Sequence, residues 1–240
     1  MKLSFVPCTL KFKRPFSIAH GIRDSTPVVF TRLEHEELLG YGEASMPPYL
    51  GENHDTVHAF LSKAEKLLEE ISRPEEMEYI LSETDKIEIG NTAAKAAVDI
   101  ALHDLIGKIR NQPCHQMFAA DKRKLLYTTY TIPMDELSEI RKRVKEAKEY
   151  KILKVKLGSP EDKKIIEEIR RITDQDIIVD ANEGWADRNF ALDMIQCLAA
   201  HKVLFVEQPM PKEQIDDIAW LSSRSPIPII ADEAVKRFSD

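Results

Sequence analysis

The sequence predicts two domains: an α+β domain over residues 1–124 and an α/β domain, the start of a (β/α) barrel of the TIM type, over residues 125–240. Before residue 125, runs with strand-like alternation come first and helical periodicity follows, which is typical of an α+β domain. After residue 125, short apolar runs alternate with amphipathic helical stretches, which indicates βα units around a parallel sheet.

The first domain opens with predicted strands. Alternating apolar and polar positions around Leu3 and at Val28–Phe30 predict antiparallel strands. Between them, Arg14–Pro27 is polar and contains a glycine and two prolines, so we predict a long loop. A turn at Glu36–Gly40 leads into another short strand, and Ser45–Asn53, rich in Pro, Gly and Tyr, is predicted to be a second loop.

Two helices are predicted in the rest of this domain. Apolar residues recur at helical spacing from Asp55 to Ile71. Asn91 is a favourable N-cap for a second helix, which runs to Gly107.

The second domain repeats one unit. Predicted strands lie at 127–132, 152–157, 177–180, 203–207 and 227–231, and predicted helices at 135–150, 160–172, 188–200 and 212–221. Five strands with four intervening helices therefore fit in residues 125–240.

Composition excludes some classes of protein. The 240 residues include 34 basic and 41 acidic side chains, for a net charge of −7, which gives no reason to expect a nucleic-acid partner. Cys8, Cys114 and Cys197 are few, odd in number and widely spaced, which favours a reducing compartment over a disulfide framework. Basic residues interrupt every apolar run near the N-terminus, so neither a signal peptide nor a membrane span is predicted. We expect a cytoplasmic protein.

Charged residues end four of the predicted strands. Lys154 and Lys156 are two positions apart, so their side chains share one face of a strand. The residues Lys156, Asp180, Glu207 and Asp232 follow at steps of 24, 27 and 25 positions, one βα unit each time. In a parallel barrel this places all of them at the C-terminal mouth, where active sites form.

Three carboxylates at one mouth would repel one another without a cation. Oxygen donors with no nearby His or Cys favour Mg²⁺. A dication beside the two lysines disfavours their charged form, which lowers their pKa and lets a lysine abstract a proton. Taken singly, these residues have simpler interpretations. Asp180 alone could be a helix N-cap, and the two lysines alone could be solvated residues of an edge strand. Those interpretations do not explain four consecutive units with such residues at one depth.

The motifs KVKLG, IIVDANEGW, VEQP and IIADEAV resemble the barrel motifs of the muconate-lactonizing subgroup of the enolase superfamily. In the first half, FKRPFSIAHG, GYGEA and TAAKAAVDIALHDL resemble the capping domain of that family. The resemblance covers essentially the whole chain and is greatest to the dipeptide epimerases of the L-Ala-D/L-Glu type. It implies an α+β capping domain followed by a (β/α) barrel of which about five of eight strands are present.

The resemblance also implies roles for the strand-end residues. Asp180, Glu207 and Asp232 would bind Mg²⁺, Lys156 would be a catalytic base, and Lys154 would tune Lys156 and stabilise negative oxygen. The implied activity is that of an isomerase, a dipeptide epimerase that removes the proton α to a carboxylate and passes through an enediolate. Lysine bases with Mg²⁺ are general in this superfamily.

Epimerisation needs a second base on the opposite face of the α-carbon. In the family this is a lysine at the end of strand six, which is expected beyond residue 240, together with the acidic residue that holds the dipeptide amine. A barrel cut after five strands leaves open edges. We therefore expect either a longer enzyme or a truncated, inactive product. Family members assemble through their barrels, so a homo-oligomer is expected by analogy.

Two residues are predicted to contact substrate. Arg23, in the first capping loop, matches the approximate place of an arginine that binds the acidic side chain in Ala-Glu epimerases, although a solvated loop arginine is an equal alternative. Thr131 matches a substrate-contacting threonine at the end of strand one, or has a structural role.

Two alternative functions remain open. A dehydratase of the o-succinylbenzoate synthase type shares the same lysines and carboxylates. A non-catalytic interaction module is the alternative from another class of protein.

Overall fold

The computed structural model describes residues 1–18 and 21–235 of the chain. The chain divides into two compact units. The first comprises Met1–Arg14 and Asp24–Leu125, and the second comprises Pro15–Arg23 and Leu126–Asp240.

Most of a three-stranded sheet lies in the first unit. Its strands are β1 (Lys2–Ile18), β2 (Gly21–His35) and β3 (Leu38–Ser45), in the order β1-β2-β3, and β2 and β3 pair antiparallel. The long loop predicted at Arg14–Pro27 is wrong outside residues 19–20, which lie beyond the described part. β1 is an edge strand, where solvent exposure accounts for the polar residues and a proline is tolerated.

Four helices follow in the first unit: α1 (His54–Glu70), α2 (Met77–Lys86), α3 (Thr92–Ile109) and α4 (Cys114–Met117), with a 3₁₀ turn at Pro48–Leu50 inside the second predicted loop. α2 was not predicted. Asn91 precedes α3 as expected, but its backbone is left-handed (φ 51°) and its side chain makes no cap bond. Glu52 caps this helix instead, because its carboxylate accepts from the Ala93 N–H at 3.1–3.2 Å.

Two glycines explain why the GYGEA segment packs so closely on an alanine-rich helix. A Cβ built at Gly42 would lie 2.1 Å from the Ala97 carbonyl oxygen, and one at Gly40 would lie 2.1 Å from the Ala101 carbonyl oxygen. β3 therefore approaches α3 at backbone distance, which only glycine on the strand allows. Thr31 on β2 completes the contact by donating its hydroxyl to the Ala97 carbonyl at 3.0 Å.

The second unit contains a five-stranded parallel sheet in the order β4-β5-β6-β7-β8. Its strands are β4 (Thr129–Ile132), β5 (Ile152–Lys156), β6 (Asp176–Asp180), β7 (Val203–Glu207) and β8 (Ile229–Ile230), and the helices between them are α5 (Leu137–Glu146), α6 (Asp162–Ile172), α7 (Arg188–Ala200) and α8 (Ile215–Ser222).

The prediction of βα units around a parallel sheet is confirmed, and the sheet is that of an incomplete barrel. The strands follow one another in sequence order with a helix between each pair, and this arrangement buries one face of each helix on the sheet. The core formed in this way contains Leu153, Val179, Ile195 and Val206. None of the helices in the described residues is long and apolar enough to cross a membrane.

Candidate active site

The carboxyl ends of three neighbouring strands carry charged residues in direct register. Lys156 at the end of β5 pairs with Asp180 on β6, and Asp180 pairs in turn with Glu207 on β7. Because parallel strands in register end at one edge of a sheet, the three side chains lie side by side there. Lys156, Asp180 and Glu207, which are 24 and 27 positions apart in the sequence, therefore form a row in the structure.

Two lysines and two carboxylates form a compact charged cluster at this edge. The Lys154 Nζ lies 2.9 Å from Asp180 Oδ2 and 2.6 Å from Glu207 Oε2, and the Lys156 Nζ lies 2.5 Å from the same Asp180 oxygen. The Asp180 side chain is only 1% exposed. Buried carboxylates of this kind need positive charge close to them, and the lysines provide it in this arrangement.

The protein groups alone do not lower the pKa of Lys154. Burial opposes its charged form, but the hydrogen bonds and charges of Glu207 and Asp180 outweigh burial, so the pKa of Lys154 is raised above its usual value. The sequence predicted a lowered pKa for the lysines. That lowering depends on a dication next to them, because the carboxylates alone raise the pKa of Lys154.

A hydrogen-bonded chain that the sequence did not suggest extends from Lys156. Its Nζ donates to Asn182 Oδ1 at 2.8 Å, and the Asn182 Nδ2 donates to Glu233 Oε1 at 3.1 Å. Both Asn182 and Glu233 are buried. Each follows a predicted metal ligand within two positions, but nothing in the sequence indicated that the two side chains meet.

Asp232, the third predicted metal ligand, lies two positions after Ile230, the residue that pairs with Glu207. Asp232 is exposed, and its backbone N–H donates to Gln208 Oε1 at 2.9 Å. The same Gln208 oxygen accepts from Ala234 N–H at 3.1 Å, so this buried amide fixes the turn that carries Asp232. Within the described residues, no three Asp, Glu, His or Cys side chains converge closely enough to hold a metal ion.

The backbone is strained at this edge of the sheet. Asn182 and Glu183 after β6 have φ of 42° and 63°, and Gln208 after β7 has φ of 35°. These are left-handed conformations that non-glycine residues adopt at a cost of about 1–3 kcal/mol each. Such strain is typical of backbone that holds side chains for a function.

A buried aspartate joins the loops that follow β5 and β6. Asp162 is fully buried and accepts from the backbone N–H of Gly158 and Ser159 and from the Trp185 Nε1–H, all at 2.9 Å. All of these bonds are made to a carboxylate, which makes them stronger than neutral ones. The loops that follow Lys156 and Asp180 are therefore tied together by Asp162.

The two predicted substrate residues are placed differently. Thr131 on β4 pairs in register with Lys154, so it lies beside the charged cluster. Arg23 lies near the start of β2 instead of in a loop, is partly buried, and belongs to the segment Pro15–Arg23 of the second unit.

The chemical type of these donors suits a hard divalent cation. Asp180 and Glu207 offer carboxylate oxygens that share the Lys154 nitrogen, and Asp232 lies in the turn after the next strand. One further buried carboxylate oxygen nearby, Glu233 Oε2, has no hydrogen-bond partner among the described residues. A set of oxygens without nitrogen or sulfur is the kind that Mg²⁺ prefers.

Two family models match this chain. Residues 2–118 match the family model of the mandelate racemase / muconate lactonizing enzyme N-terminal domain, and residues 135–240 match that of the enolase C-terminal domain-like family.

Two similar proteins are named as epimerases. The chain is 49% identical to the L-Ala-D/L-Glu epimerase of Bacteroides thetaiotaomicron, over all of the chain but only 62% of that protein. It is 32% identical to the L-Ala-D/L-amino acid epimerase of Pedosphaera parvula, over all of the chain and 71% of that protein.

Two solved structures that resemble this chain are also epimerases by name. The dipeptide epimerase of Enterococcus faecalis, in complex with Mg and L-Leu-L-Tyr, superposes with a TM-score of 0.91 at 28% identity, over 98% of this chain and 68% of that one. A substrate-liganded L-Ala-D/L-Glu epimerase of Bacillus subtilis superposes with a TM-score of 0.90 at 26% identity, over 98% and 69% of the two chains. With both family models, these relatives and this fold in agreement, the chain belongs to the enolase superfamily, in its mandelate racemase / muconate lactonizing enzyme group.

Proposed function

We propose that the protein containing this chain is a Mg²⁺-dependent isomerase that epimerises dipeptides by 1,1-proton transfer at the α-carbon. The observation that carries the proposal is the row of Lys156, Asp180 and Glu207 at one edge of the parallel sheet, with Lys154 between the two carboxylates. The similarity to epimerases of dipeptides selects this reaction among those of the superfamily.

Each residue has a proposed task. Lys156 takes the proton from the α-carbon on one face of the substrate, and Lys154 remains close enough to stabilise negative oxygen. Asp180, Glu207 and Asp232 would hold Mg²⁺, and bound Mg²⁺ would supply positive charge to stabilise the negative charge that develops on the substrate carboxylate. The base for the opposite face is proposed to lie outside these 240 residues.

The substrate class is a small dipeptide, and L-Ala-L-Glu is the first one to test because of the relative with 49% identity. Thr131 is proposed to contact the substrate, since it is the register neighbour of Lys154. Arg23 is proposed to bind an acidic side chain of the substrate, which its place in the second unit permits. Variants of Thr131 and Arg23 are therefore expected to change which dipeptides are accepted, with a smaller effect on the rate of proton transfer.

Proton exchange in D₂O tests the proposal. L,L-dipeptides are incubated with Mg²⁺ and with the protein, prepared both as these 240 residues and with any natural extension that its gene encodes. Mass spectrometry reports deuterium at the α-carbon, and chiral chromatography reports inversion. Exchange with inversion supports the epimerase. Failure to exchange with every dipeptide in both preparations contradicts it.

A cytoplasmic location and homo-oligomeric assembly are further proposals. The first rests on the three widely spaced cysteines, all of which are free in the structure. The second rests on analogy with family members and is testable by light scattering.

A further inference from the structure

We propose that Glu233 is a positioning residue for the base Lys156, and that it acts through the side-chain amide of Asn182. This inference rests on the proposed function for the role of Lys156 as a base. Glu233 itself has no described contact with the lysine, so its effect is transmitted by Asn182.

The geometry of the relay is continuous. Lys156 Nζ donates to Asn182 Oδ1 at 2.8 Å, and Asn182 Nδ2 donates to Glu233 Oε1 at 3.1 Å. Three elements contribute, because Lys156 ends β5, Asn182 follows β6 and Glu233 follows β8. Glu233 thus connects the last described turn of the sheet to the lysine three strands away.

Glu233 determines which end of the Asn182 amide faces Lys156. An asparagine side chain carries an acceptor oxygen and a donor nitrogen of nearly the same shape. A carboxylate only accepts, so Glu233 binds the amide nitrogen and directs the oxygen towards Lys156. With the amide turned over, two donors would face each other at Lys156 and two acceptors at Glu233.

The consequence for Lys156 is a fixed orientation of its amino group. Asp180 Oδ2 at 2.5 Å and Asn182 Oδ1 at 2.8 Å each accept one N–H of the Lys156 Nζ. The remaining tetrahedral position of the nitrogen then points away from both acceptors, and in the proposed reaction it is the position that takes the proton. Loss of one acceptor lets the amine rotate, and misorientation of a catalytic group lowers the rate of the chemical step.

The relay is held in place at both ends. The Asn182 backbone N–H donates to Asp180 Oδ1 at 3.0 Å, with Asn182 itself in a left-handed conformation. Gln208 accepts from the backbone on each side of Glu233, at Asp232 and Ala234. Glu233 is 6% exposed, so water has little access to replace its bond to Asn182. A preorganised support of this kind is what a precisely aimed base requires.

Four variants of the full protein test the relay. Glu233→Leu removes the acceptor but keeps the volume, whereas Glu233→Gln keeps an acceptor oxygen for Asn182. Asn182→Ala removes the relay without altering Glu233. The matched control is Glu168→Gln, which changes a buried glutamate of the same unit that pairs with Arg141 and Arg171 instead of with the site.

Steady-state kinetics with the dipeptide give the first readout. Glu233→Leu and Asn182→Ala are expected to lower kcat by about 10- to 100-fold while KM changes less than about 2-fold. Glu233→Gln is expected to restore kcat to within about 3-fold of the unmodified protein, and Glu168→Gln to leave kcat unchanged. Unchanged kcat in Asn182→Ala, or a loss in Glu233→Gln as large as that in Glu233→Leu, overturns the proposal.

Crystal structures of Glu233→Leu and Glu233→Gln give a readout that needs no turnover. The contact between Lys156 Nζ and Asn182 Oδ1 is expected to be lost in the first and kept in the second. If the contact persists in Glu233→Leu, Glu233 does not position Lys156. If no dipeptide is turned over even by the unmodified protein, the proposed function fails, and these structures still decide whether the relay exists.

Discussion

Lys156 and Asp180 face each other across two adjacent parallel strands, paired in register and with their charged atoms 2.5 Å apart. One residue ends β5 and the other ends β6, so the geometry of the sheet sets their separation. The side chain proposed as base and a carboxylate proposed as metal ligand are therefore fixed on rigid strands, with Lys154 reaching the same carboxylate.

Replacing Lys156 is expected to remove proton transfer without unfolding the protein. Lys156→Met keeps the length of the side chain and lacks the amine, so we expect the exchange rate to fall by at least about 100-fold. Melting temperature and circular dichroism of the variant serve as the fold control. A variant that retains more than a tenth of the rate would show that another group is the base.

Replacing Asp180 is expected to reduce both stability and Mg²⁺ affinity. In Asp180→Asn the two lysines lose their shared buried partner, which we expect to lower the free energy of unfolding by about 3 kcal/mol. Urea denaturation measures this, and Asp193→Asn, an exposed position on α7, is the matched control with an expected change below about 0.5 kcal/mol. Equal stability of the two variants would contradict the buried ion cluster.

Removal of divalent cations is expected to abolish exchange reversibly. Dialysis against EDTA should stop proton exchange, and added Mg²⁺ should restore it. Added Mg²⁺ should also raise the melting temperature of the unmodified protein, because an ion that binds only the folded state stabilises that state. The same addition should have no effect on Asp180→Asn. Exchange that is unaffected by EDTA would exclude the proposed ligand set.

The pairing of Glu168 with Arg141 predicts a defined pH dependence of stability. The hydrogen bond from Arg141 lowers the pKa of Glu168; burial opposes this, and the arginine charges add to it. Because the folded-state pKa is lowered, the stabilisation is present above the ordinary glutamate pKa of about 4.3 and is lost as pH falls through the folded value. The free energies of unfolding of the unmodified protein and of Glu168→Gln should therefore differ at pH 7, and the difference should shrink as the pH falls below the ordinary glutamate pKa. A constant difference would contradict the assignment.

Close packing of β3 on α3 makes Gly42 sensitive to any side chain. Gly42→Ala places a Cβ 2.1 Å from the Ala97 carbonyl oxygen, which forces the strand and the helix apart. We expect a loss of about 1–3 kcal/mol in the free energy of unfolding. Ser82→Ala on the exposed side of α2 is the control and should change little. An unchanged stability of Gly42→Ala would contradict the close approach.

The sequence predicted the barrel part of the fold well because its signals are local. Each strand from β4 to β7 is a short apolar run followed by an amphipathic helix, and the observed bounds of α7 and β7 coincide with the prediction. The nearly regular spacing of the strand ends also predicted which charged residues are neighbours, since one βα unit carries the chain from one strand end to the next.

The predictions from the sequence were wrong where tertiary contacts determine the local structure. The stretch Arg14–Pro27 has the composition of a loop, but partners in the sheet keep its described part extended. Asn91 is a good cap residue in general, but Glu52 from a distant loop performs the capping. Likewise, nothing local in the sequence linked Asn182 to Glu233, which are joined only by the order of the strands.

Deuterium exchange into L-Ala-L-Glu in D₂O with Mg²⁺, measured for the unmodified protein and for Lys156→Met in parallel, decides whether Lys156 is the base. We expect deuterium at the α-carbon with the unmodified protein and its loss in the variant. Exchange that proceeds at the same rate in Lys156→Met would contradict the assignment of Lys156 as the base, and absence of exchange in both would contradict the epimerase itself.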